Sequence, residues 1–221
     1  MNPVLEFENV SYSYTNAGNK IEVLKDASYI FNSGTLYTIL GQSGSGKTTA
    51  LTLAGGLDVP QSGKVLFKGL DIKKAGLTKH RRNYVSLIFQ SYNLINYMTA
   101  IENVIMAMEI SGSHPGKRKE EAMRILTELG LNENEARRDV RKLSGGQQQR
   151  VAIARALATN TEVILADEPT GNLDIETAKG MLEIFIKLAK EYGKCVIVVT
   201  HSHEIAARAD VVLKFENGKL V

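Results

Sequence analysis

A glycine-rich stretch near residue 45 has the residue types and the spacing of a phosphate-binding loop. It runs from Gly41 to Thr48 as G-x-x-x-x-G-K-T, between an apolar strand and a helix. Glycines let backbone amides face an anion, the lysine can reach the outer phosphates, and the hydroxyl can bind Mg²⁺. We call residues 41–48 the phosphate loop. The residues predicted to contact a nucleotide here are Gly41, Ser43, Gly44, Ser45, Gly46, Lys47, Thr48 and Thr49.

Two carboxylates follow a second apolar strand farther along the chain. Val163 to Ala166 is apolar and leads into Asp167 and Glu168. Beside the phosphate loop, Asp167 is placed to hold Mg²⁺ through water, and Glu168 to orient or deprotonate an attacking water. An acidic strand end is common in proteins, so this hydrolytic interpretation depends on its pairing with the phosphate loop.

A third motif, Leu143-Ser-Gly-Gly-Gln147, begins a helix. Ser144 and Gln147 have the spacing of a capping box, and Gly145 and Gly146 leave amides that can face an anion. The motif therefore predicts a second anion site without a lysine. Taken alone, it is more typical of a well-capped helix.

Composition limits the class of protein. The 221 residues are 43% hydrophobic and 23% charged, as in an ordinary globular chain of one α/β domain. The net charge of +3 is too small to predict a nucleic-acid partner. A single cysteine, Cys195, excludes an intramolecular disulfide. No run reaches the roughly 20 apolar residues of a membrane span, and the amino-terminal residues lack the pattern of a signal peptide.

The order of predicted elements indicates an α/β core with a helical insertion. Residues 1–90 and 150–221 are assigned to the core, which begins with an antiparallel β region, and about 91–149 to the insertion. The predicted elements are β-like runs at 5–14 and 21–31, strands at 35–40, 162–166 and 195–200, helices at 49–57, 99–110, 117–129, 144–158 and 175–192, and a final hairpin at Asn217-Gly218.

Together these motifs resemble the nucleotide-binding subunit of ABC transporters, and the resemblance covers essentially the whole chain. It implies an α/β P-loop NTPase (RecA-like) core, an N-terminal antiparallel β subdomain and an inserted α-helical subdomain. Residues 143–147 match the family's signature motif and are called the signature loop below. ATP and Mg²⁺ are the implied ligands.

The resemblance also implies roles for single residues. Gln90 matches the Q-loop glutamine that contacts Mg²⁺ and water, and His201 matches the switch histidine on the γ-phosphate. Asp174 ends the D-loop at 171–174. Tyr14 matches the aromatic residue that stacks on adenine, although Tyr12 lies on the same strand face. The implied catalytic set is Glu168, His201, Gln90 and Lys47, and the implied metal set is Thr48, Gln90 and Asp167.

In this family two subunits stack head to tail around two ATP molecules. Lys47 and Thr48 of one subunit then face Ser144 and Gly146 of the other, so a homodimer is expected in the ATP-bound state. A separate integral membrane permease is expected to dock near Gln90–Met98. The exposed side chains expected at that surface are Tyr92, Leu94, Tyr97 and Met98, and their packing within the insertion is the alternative.

The strings at 165–174 and 143–150 resemble the MacB/LolD-type branch, and FtsE shares much of them. The branch implies an ATPase at the cytoplasmic face of the membrane, coupled to export or extracytoplasmic handling of a peptide, antimicrobial or lipoprotein. Gln42 departs from the proline of many members. A soluble ABC ATPase in iron–sulfur assembly or DNA repair is the alternative. A GTPase or small-molecule kinase is disfavoured because Asn19-Lys20 precedes the phosphate loop and lacks the base-reading Asp.

Overall fold

A computed structural model describes residues 2–16, 19–42, 44–171 and 173–221. The strands are β1 Pro3–Asn16, β2 Asn19–Asn32, β3 Leu36–Leu40, β4 Ser62–Phe67, β5 Leu70–Asp71, β6 Val85–Ile88, β7 Val163–Asp167, β8 Cys195–Thr200, β9 Val211–Glu216 and β10 Lys219–Leu220. The helices are α1 Lys47–Ala54, α2 Ile72–Ala75, α3 Leu77–Asn83, α4 Ala100–Ser111, α5 Arg118–Glu128, α6 Glu133–Ala136, α7 Gly145–Ala158, α8 Ile175–Lys190 and α9 His203–Ala206, with a 3₁₀ turn at Val140–Lys142.

An antiparallel sheet in the order β2-β1-β4-β5 is built around the predicted first hairpin. The alternation of β1 changes phase at Asn9, which has a left-handed backbone (φ 49) and lies where the register with β2 shifts. Because of this irregularity, Phe7 and Val10 both point into the core although an odd number of positions separates them.

A second sheet, in the order β10-β9-β3-β8-β7-β6, positions the predicted chemistry. The pairs β3–β8, β3–β9, β7–β8 and β6–β7 are all parallel. The carboxyl ends of these strands therefore meet at one edge of the sheet, where α/β proteins bind ligands. The phosphate loop, Glu168, His201 and Gln90 follow strands at this edge, and Asp167 is the last residue of β7.

The chain between β6 and β7 is helical, and no strand is assigned in this part of the described chain. Its helices share a hydrophobic core with one face of the parallel sheet, where Met108 and Val151 lie in the same cluster as Ile164. The antiparallel sheet and α1 cover the other face. This architecture confirms the predicted fold class. The division of the chain near residues 90 and 150 stays a prediction. None of the helices in the described ranges combines the length and apolarity that crossing a membrane requires.

Candidate nucleotide-binding site

A cavity of about 430 Å³ opens at the carboxyl edge of the parallel sheet. It gathers residues from every predicted chemical motif except the signature and D-loops. Thr48 and Asp167, which lie 119 positions apart in the sequence, are hydrogen-bonded to each other there. The lining residues are Gly44, Lys47, Thr48, Gln90, Asp167, Glu168, Val199 and His201.

The phosphate loop reaches α1 through a glycine that no other residue replaces easily. Gly46 has φ 112 and ψ 4 and caps α1 without a side-chain hydrogen bond. A Cβ at this position would collide with Cγ1 of Val23 and lie 3.0 Å from Cε1 of Phe215. The first amides of a helix have no partner within the helix, so this end, which lacks a side-chain cap, offers its amide donors to the cavity. Ser43 lies outside the described residues.

Lys47 places a cation at the base of the loop. Its side chain is buried, and Nζ donates to the carbonyl oxygens of Gly41 at 2.9 Å and Gln42 at 2.8 Å. A buried ammonium group needs such partners. The cation is therefore held beside the loop amides and lines the cavity that they border. Ser45 and Thr49 belong to the same loop and helix start, and Thr49 is buried.

Thr48 and Asp167 offer oxygen ligands of the kind that Mg²⁺ takes. Thr48 Oγ1 donates to Asp167 Oδ1 at 3.2 Å. Burial raises the pKa of Asp167, and the Glu168 carboxylate adds to this, while the Thr48 hydrogen bond and Lys47 oppose it. The described residues contain no group of three or more His, Cys, Asp or Glu placed to hold a metal. The oxygen donors nevertheless fit Mg²⁺, which usually takes one or two carboxylates and completes its shell with phosphate oxygens and water.

Glu168 and His201 form a second polar pair in the cavity. His201 Nδ1 lies 3.0 Å from Glu168 Oε2. The backbone of Glu168 is left-handed (φ 44), and its amide donates to the carbonyl oxygen of Val199 at 2.9 Å. The glutamate side chain is only 19% exposed, whereas that of the histidine is 73% exposed. A shielded carboxylate thus contacts an imidazole that remains open to a ligand or to a partner.

Gln90 enters the same cavity beside the D-loop. A Cβ at Gly171 would lie 2.8 Å from Gln90 Nε2, so the glycine makes room for the glutamine. Asp174 does not line the cavity. It caps α8, accepting from the amide of Thr177 at 3.0 Å and from its hydroxyl at 2.7 Å. These hydrogen bonds lower the pKa of Asp174.

The two candidate tyrosines on β1 have different environments. The Tyr12 hydroxyl donates to Asp58 at 2.5 Å, and this hydrogen bond raises the pKa of Tyr12 to about 12. Tyr14 is 47% exposed, and its hydroxyl lies 3.1 Å from Thr49 Oγ1 at the start of α1. The two rings meet edge to face. The exposed ring beside the phosphate loop therefore belongs to Tyr14, which favours it over Tyr12 for adenine.

The signature loop forms the predicted capping box but lies apart from the cavity. Ser144 Oγ accepts from the Gln147 amide at 3.3 Å, and Gln147 Oε1 accepts from the Ser144 amide at 2.9 Å. A Cβ at Gly146 would lie 2.8 Å from Thr177 Cγ2. Within the described residues of one chain, the signature loop and the start of α8 do not reach the phosphate loop. The predicted nucleotide contacts concerned are Ser144, Gly145, Gly146, Gln147 and Asp174. Their contacts with a nucleotide stay a prediction that requires a second copy.

The expected docking surface is only partly correct. Tyr97 is 80% exposed. Tyr92, Leu94 and Met98 were expected to be exposed as well, and this is wrong, since all three are half-buried. Leu94 packs against the core shared by the helices and the sheet.

One residue of this region was missed by the sequence analysis. Arg155, on α7, donates to the carbonyl oxygens of Tyr92 at 3.1 Å and Asn93 at 2.5 Å. The available signal was a single cation within the otherwise apolar stretch 151–158.

Comparisons with known proteins show what the chain is similar to. The profile described as ABC transporter matches residues 24–171. The chain is 47% identical over 215 residues to the uncharacterized ABC transporter ATP-binding protein YclH of Bacillus subtilis (97% of this chain, 94% of the relative). It is 44% identical over 219 residues to the lipoprotein-releasing system ATP-binding protein LolD of Rickettsia bellii (99% and 98%).

Two solved structures have the same fold. One is the dimeric structure of a bacterial ABC transporter cassette, with a TM-score of 0.90 and 38% identity over 98% of this chain and 96% of the other. The second is the same cassette in a dimeric post-hydrolysis state bound to ADP and Pi, with a TM-score of 0.90, 37% identity and the same coverage.

Proposed function

The chain belongs to the ABC transporter family as an ATP-binding subunit, and we propose that it hydrolyses ATP to drive a separate membrane subunit. The observation that carries this proposal is the cavity at the sheet edge. There a buried lysine, a hydroxyl–carboxylate pair and a glutamate–histidine pair face the same space. Such a site combines an anion cradle with a general base, the two requirements for hydrolysis of a phosphoanhydride.

In the proposed reaction the loop amides and Lys47 bind the phosphates, and Tyr14 stacks on adenine. Thr48, Asp167 and Gln90 would hold Mg²⁺, which when bound supplies charge neutralisation to the phosphates. Glu168 accepts the proton of the attacking water. His201, whose Nδ1 lies 3.0 Å from the Glu168 carboxylate, contacts the γ-phosphate.

A second copy of the chain completes the site in this proposal. The two similar cassette structures are described as dimeric. Ser144, Gly145, Gly146 and Gln147 would meet the nucleotide held by the other copy, and Asp174 would lie nearby at the start of α8. This arrangement would explain why the capped amino end of α7, with its glycine amides, reaches no phosphate loop in its own chain.

The membrane partner is proposed to be of the MacB/LolD type and to dock at residues 90–98, where Tyr97 is exposed. The chain would then work at the cytoplasmic face of a membrane and need no nucleic-acid partner. Similarity to proteins named as lipoprotein-releasing supports a lipoprotein as the cargo, ahead of a peptide or antimicrobial. The alternative is a soluble ABC ATPase in iron–sulfur assembly or DNA repair.

A pull-down from native membranes tests this proposal. Glu168→Gln protein with Mg-ATP is expected to retain a membrane subunit with four spans and a large extracytoplasmic domain, identified by mass spectrometry. The same bait carrying Lys47→Ala, which weakens nucleotide binding, serves as the control and should retain much less. Recovery of cytoplasmic chains alone would contradict the transporter assignment and favour the soluble ATPase.

A further inference from the structure

The segment that follows Gln90 makes a tight turn of unusual backbone geometry. Tyr92 and Asn93 are consecutive residues in the left-handed region, with φ 61 and φ 49. Asparagine adopts this region more readily than most residues, but a tyrosine there requires support from its surroundings. The Ser91 hydroxyl bonds to Asn93 Oδ1 at 2.9 Å, which stabilises one half of the turn locally.

The other support comes from Arg155 on α7. One guanidinium nitrogen donates to the Asn93 carbonyl oxygen at 2.5 Å, and the other donates to that of Tyr92 at 3.1 Å. Burial lowers the pKa of Arg155. Among the described residues no carboxylate forms an ion pair with it, so the two carbonyl oxygens are the acceptors that compensate the loss of water.

The turn places two side chains against glycines of two other loops. The Tyr92 hydroxyl lies 3.1 Å from the position of a Cβ on Gly145, in the signature loop. Gln90 Nε2 lies 2.8 Å from the corresponding position on Gly171, in the D-loop. The segment therefore contacts the signature loop on one side and lines the catalytic cavity on the other.

We infer that Arg155 and Tyr92 are positioning residues for hydrolysis. Arg155 fixes the turn, and the turn holds Gln90 in the cavity and Tyr92 on Gly145. The signature loop and the cavity thereby keep one relative placement. We call the contacts of Arg155 with the turn, together with that of Tyr92 with Gly145, the clamp. The consequence of the clamp for hydrolysis rests on the proposed function, whereas the clamp itself does not. A lysine cannot replace this arginine, because a single ammonium on a flexible stem lacks the planar fork that spans two adjacent carbonyl groups.

The test compares Arg155→Lys with Arg150→Lys in the full chain. Arg150 is also on α7 and donates to a carbonyl oxygen, that of Leu129 at 3.2 Å, with no hydrogen bond to the turn. Displacing a positioned group by about 1 Å can cost on the order of 100-fold in rate. We therefore expect Arg155→Lys to lower kcat about 10- to 100-fold.

The affinity of the single chain for a fluorescent ATP analogue should stay within about twofold of the original in both variants. The reason is that neither Arg155 nor Arg150 lines the cavity. Tyr92→Phe, which keeps the ring, should lower kcat less than Arg155→Lys. Equal kcat losses in the two lysine variants would overturn the inference. A loss of analogue affinity as large as the loss of kcat would also overturn it, since it would indicate general disruption of the fold.

Hydrogen–deuterium exchange of the nucleotide-free chain separates failure of the clamp from failure of the proposed function. Arg155→Lys is expected to speed exchange at residues 91–95 and 145–147 and to leave residues 47–54 unchanged. If these changes occur but the original chain hydrolyses no ATP, the proposed function is wrong and the clamp is right. If exchange at 91–95 and 145–147 is unchanged, the clamp is wrong whatever the activity.

Discussion

Helices α1 and α7 both begin at glycine-rich loops, yet their amino ends are built in opposite ways. The end of α1 is capped by Gly46 in a left-handed conformation, with no side-chain hydrogen bond. The end of α7 carries a complete capping box between Ser144 and Gln147, and Gln147 is further bonded to Glu135 at 2.7 Å. The first end keeps its donors for a ligand, whereas the second satisfies part of its own.

The surroundings of the two ends differ as well. Lys47 is buried at the start of α1 and lies in a cavity with two carboxylates, whereas Ser144 and Gly145 are exposed. A cation beside amides that lack a side-chain cap is an arrangement that can bind phosphate within a single chain. Neutral, partly satisfied donors on a surface contribute only when another molecule brings an anion to them. The difference indicates that the α1 end serves binding by one chain, whereas the α7 end serves the association of two chains.

The largest expected effect is at Glu168, the proposed catalytic carboxylate, which belongs to neither helix. Glu168→Gln removes the proposed general base, so the turnover of Mg-ATP should fall about 100-fold or more. Both helix ends remain intact, so ATP binding should persist and ATP-dependent dimers should accumulate in size-exclusion chromatography.

The matched control is Glu162→Gln, at the opposite end of β7. Glu162 pairs there with Lys68 at 2.6 Å, far from the cavity lining. The turnover of Mg-ATP by Glu162→Gln should match that of the original chain. Normal turnover by Glu168→Gln would remove this residue from the catalytic role.

Lys47→Ala tests the α1 end. A hydrogen bond from a charged donor contributes about 1.5–3 kcal/mol, so the affinity of the single chain for ATP should fall about 10- to 100-fold. Isothermal titration calorimetry of the single chain measures this directly. Lys64→Ala changes an exposed lysine paired with Glu8 and should bind ATP normally. Unchanged affinity in Lys47→Ala would contradict the assignment of the phosphate loop.

Ser144→Ala tests the α7 end. Loss of the cap should lower the free energy of unfolding by about 1 kcal/mol. Because this residue does not line the cavity, ATP affinity of the single chain should be unchanged while ATP-dependent dimerisation weakens. Thr99→Ala removes the equivalent capping box of α4 and should cost similar stability without affecting dimers. Equal dimerisation in the two variants would mean that the signature loop does not contact the partner's nucleotide.

The smallest effect concerns the carboxyl end of α1, where His80 is buried and its Nε2 lies 3.0 Å from the Ala54 carbonyl oxygen. Burial lowers the pKa of His80 below its usual value of 6.5, more than the Ala54 hydrogen bond raises it. The unfolded chain therefore binds the proton more readily. The stability that this histidine contributes is complete above about pH 6.5 and is lost as the pH falls through and below that value.

Urea unfolding near pH 7.5 and pH 5.5 checks this, on either side of the usual histidine pKa of about 6.5. On going from the higher to the lower pH, the urea midpoint of the original chain should decrease more than that of His80→Gln. The glutamine keeps an amide donor that does not titrate. Identical falls in the two proteins would exclude His80 as the source.

Much of the fold could be predicted from the sequence because it depends on neighbouring residues. The β8 bounds and the capping boxes at Thr99 and Ser144 are as predicted. Helix ends were less accurate. The helix after the phosphate loop was expected at 49–57 but spans Lys47–Ala54, because the left-handed Gly46 starts the helix immediately and a glycine pair follows its end.

The phosphate loop, the acidic strand end and the signature loop are short motifs whose chemistry lies in adjacent residues, so the sequence alone identified them. The tertiary structure alone decided which of them meet. Parallel strand order brings Thr48 to Asp167 and leaves the signature loop apart from both. Tertiary packing also engages Tyr12 of the antiparallel sheet with Asp58 and directs Arg155 of α7 to the turn after Gln90. Such contacts join residues from distant elements, and no local pattern of residue types encodes the distance between them.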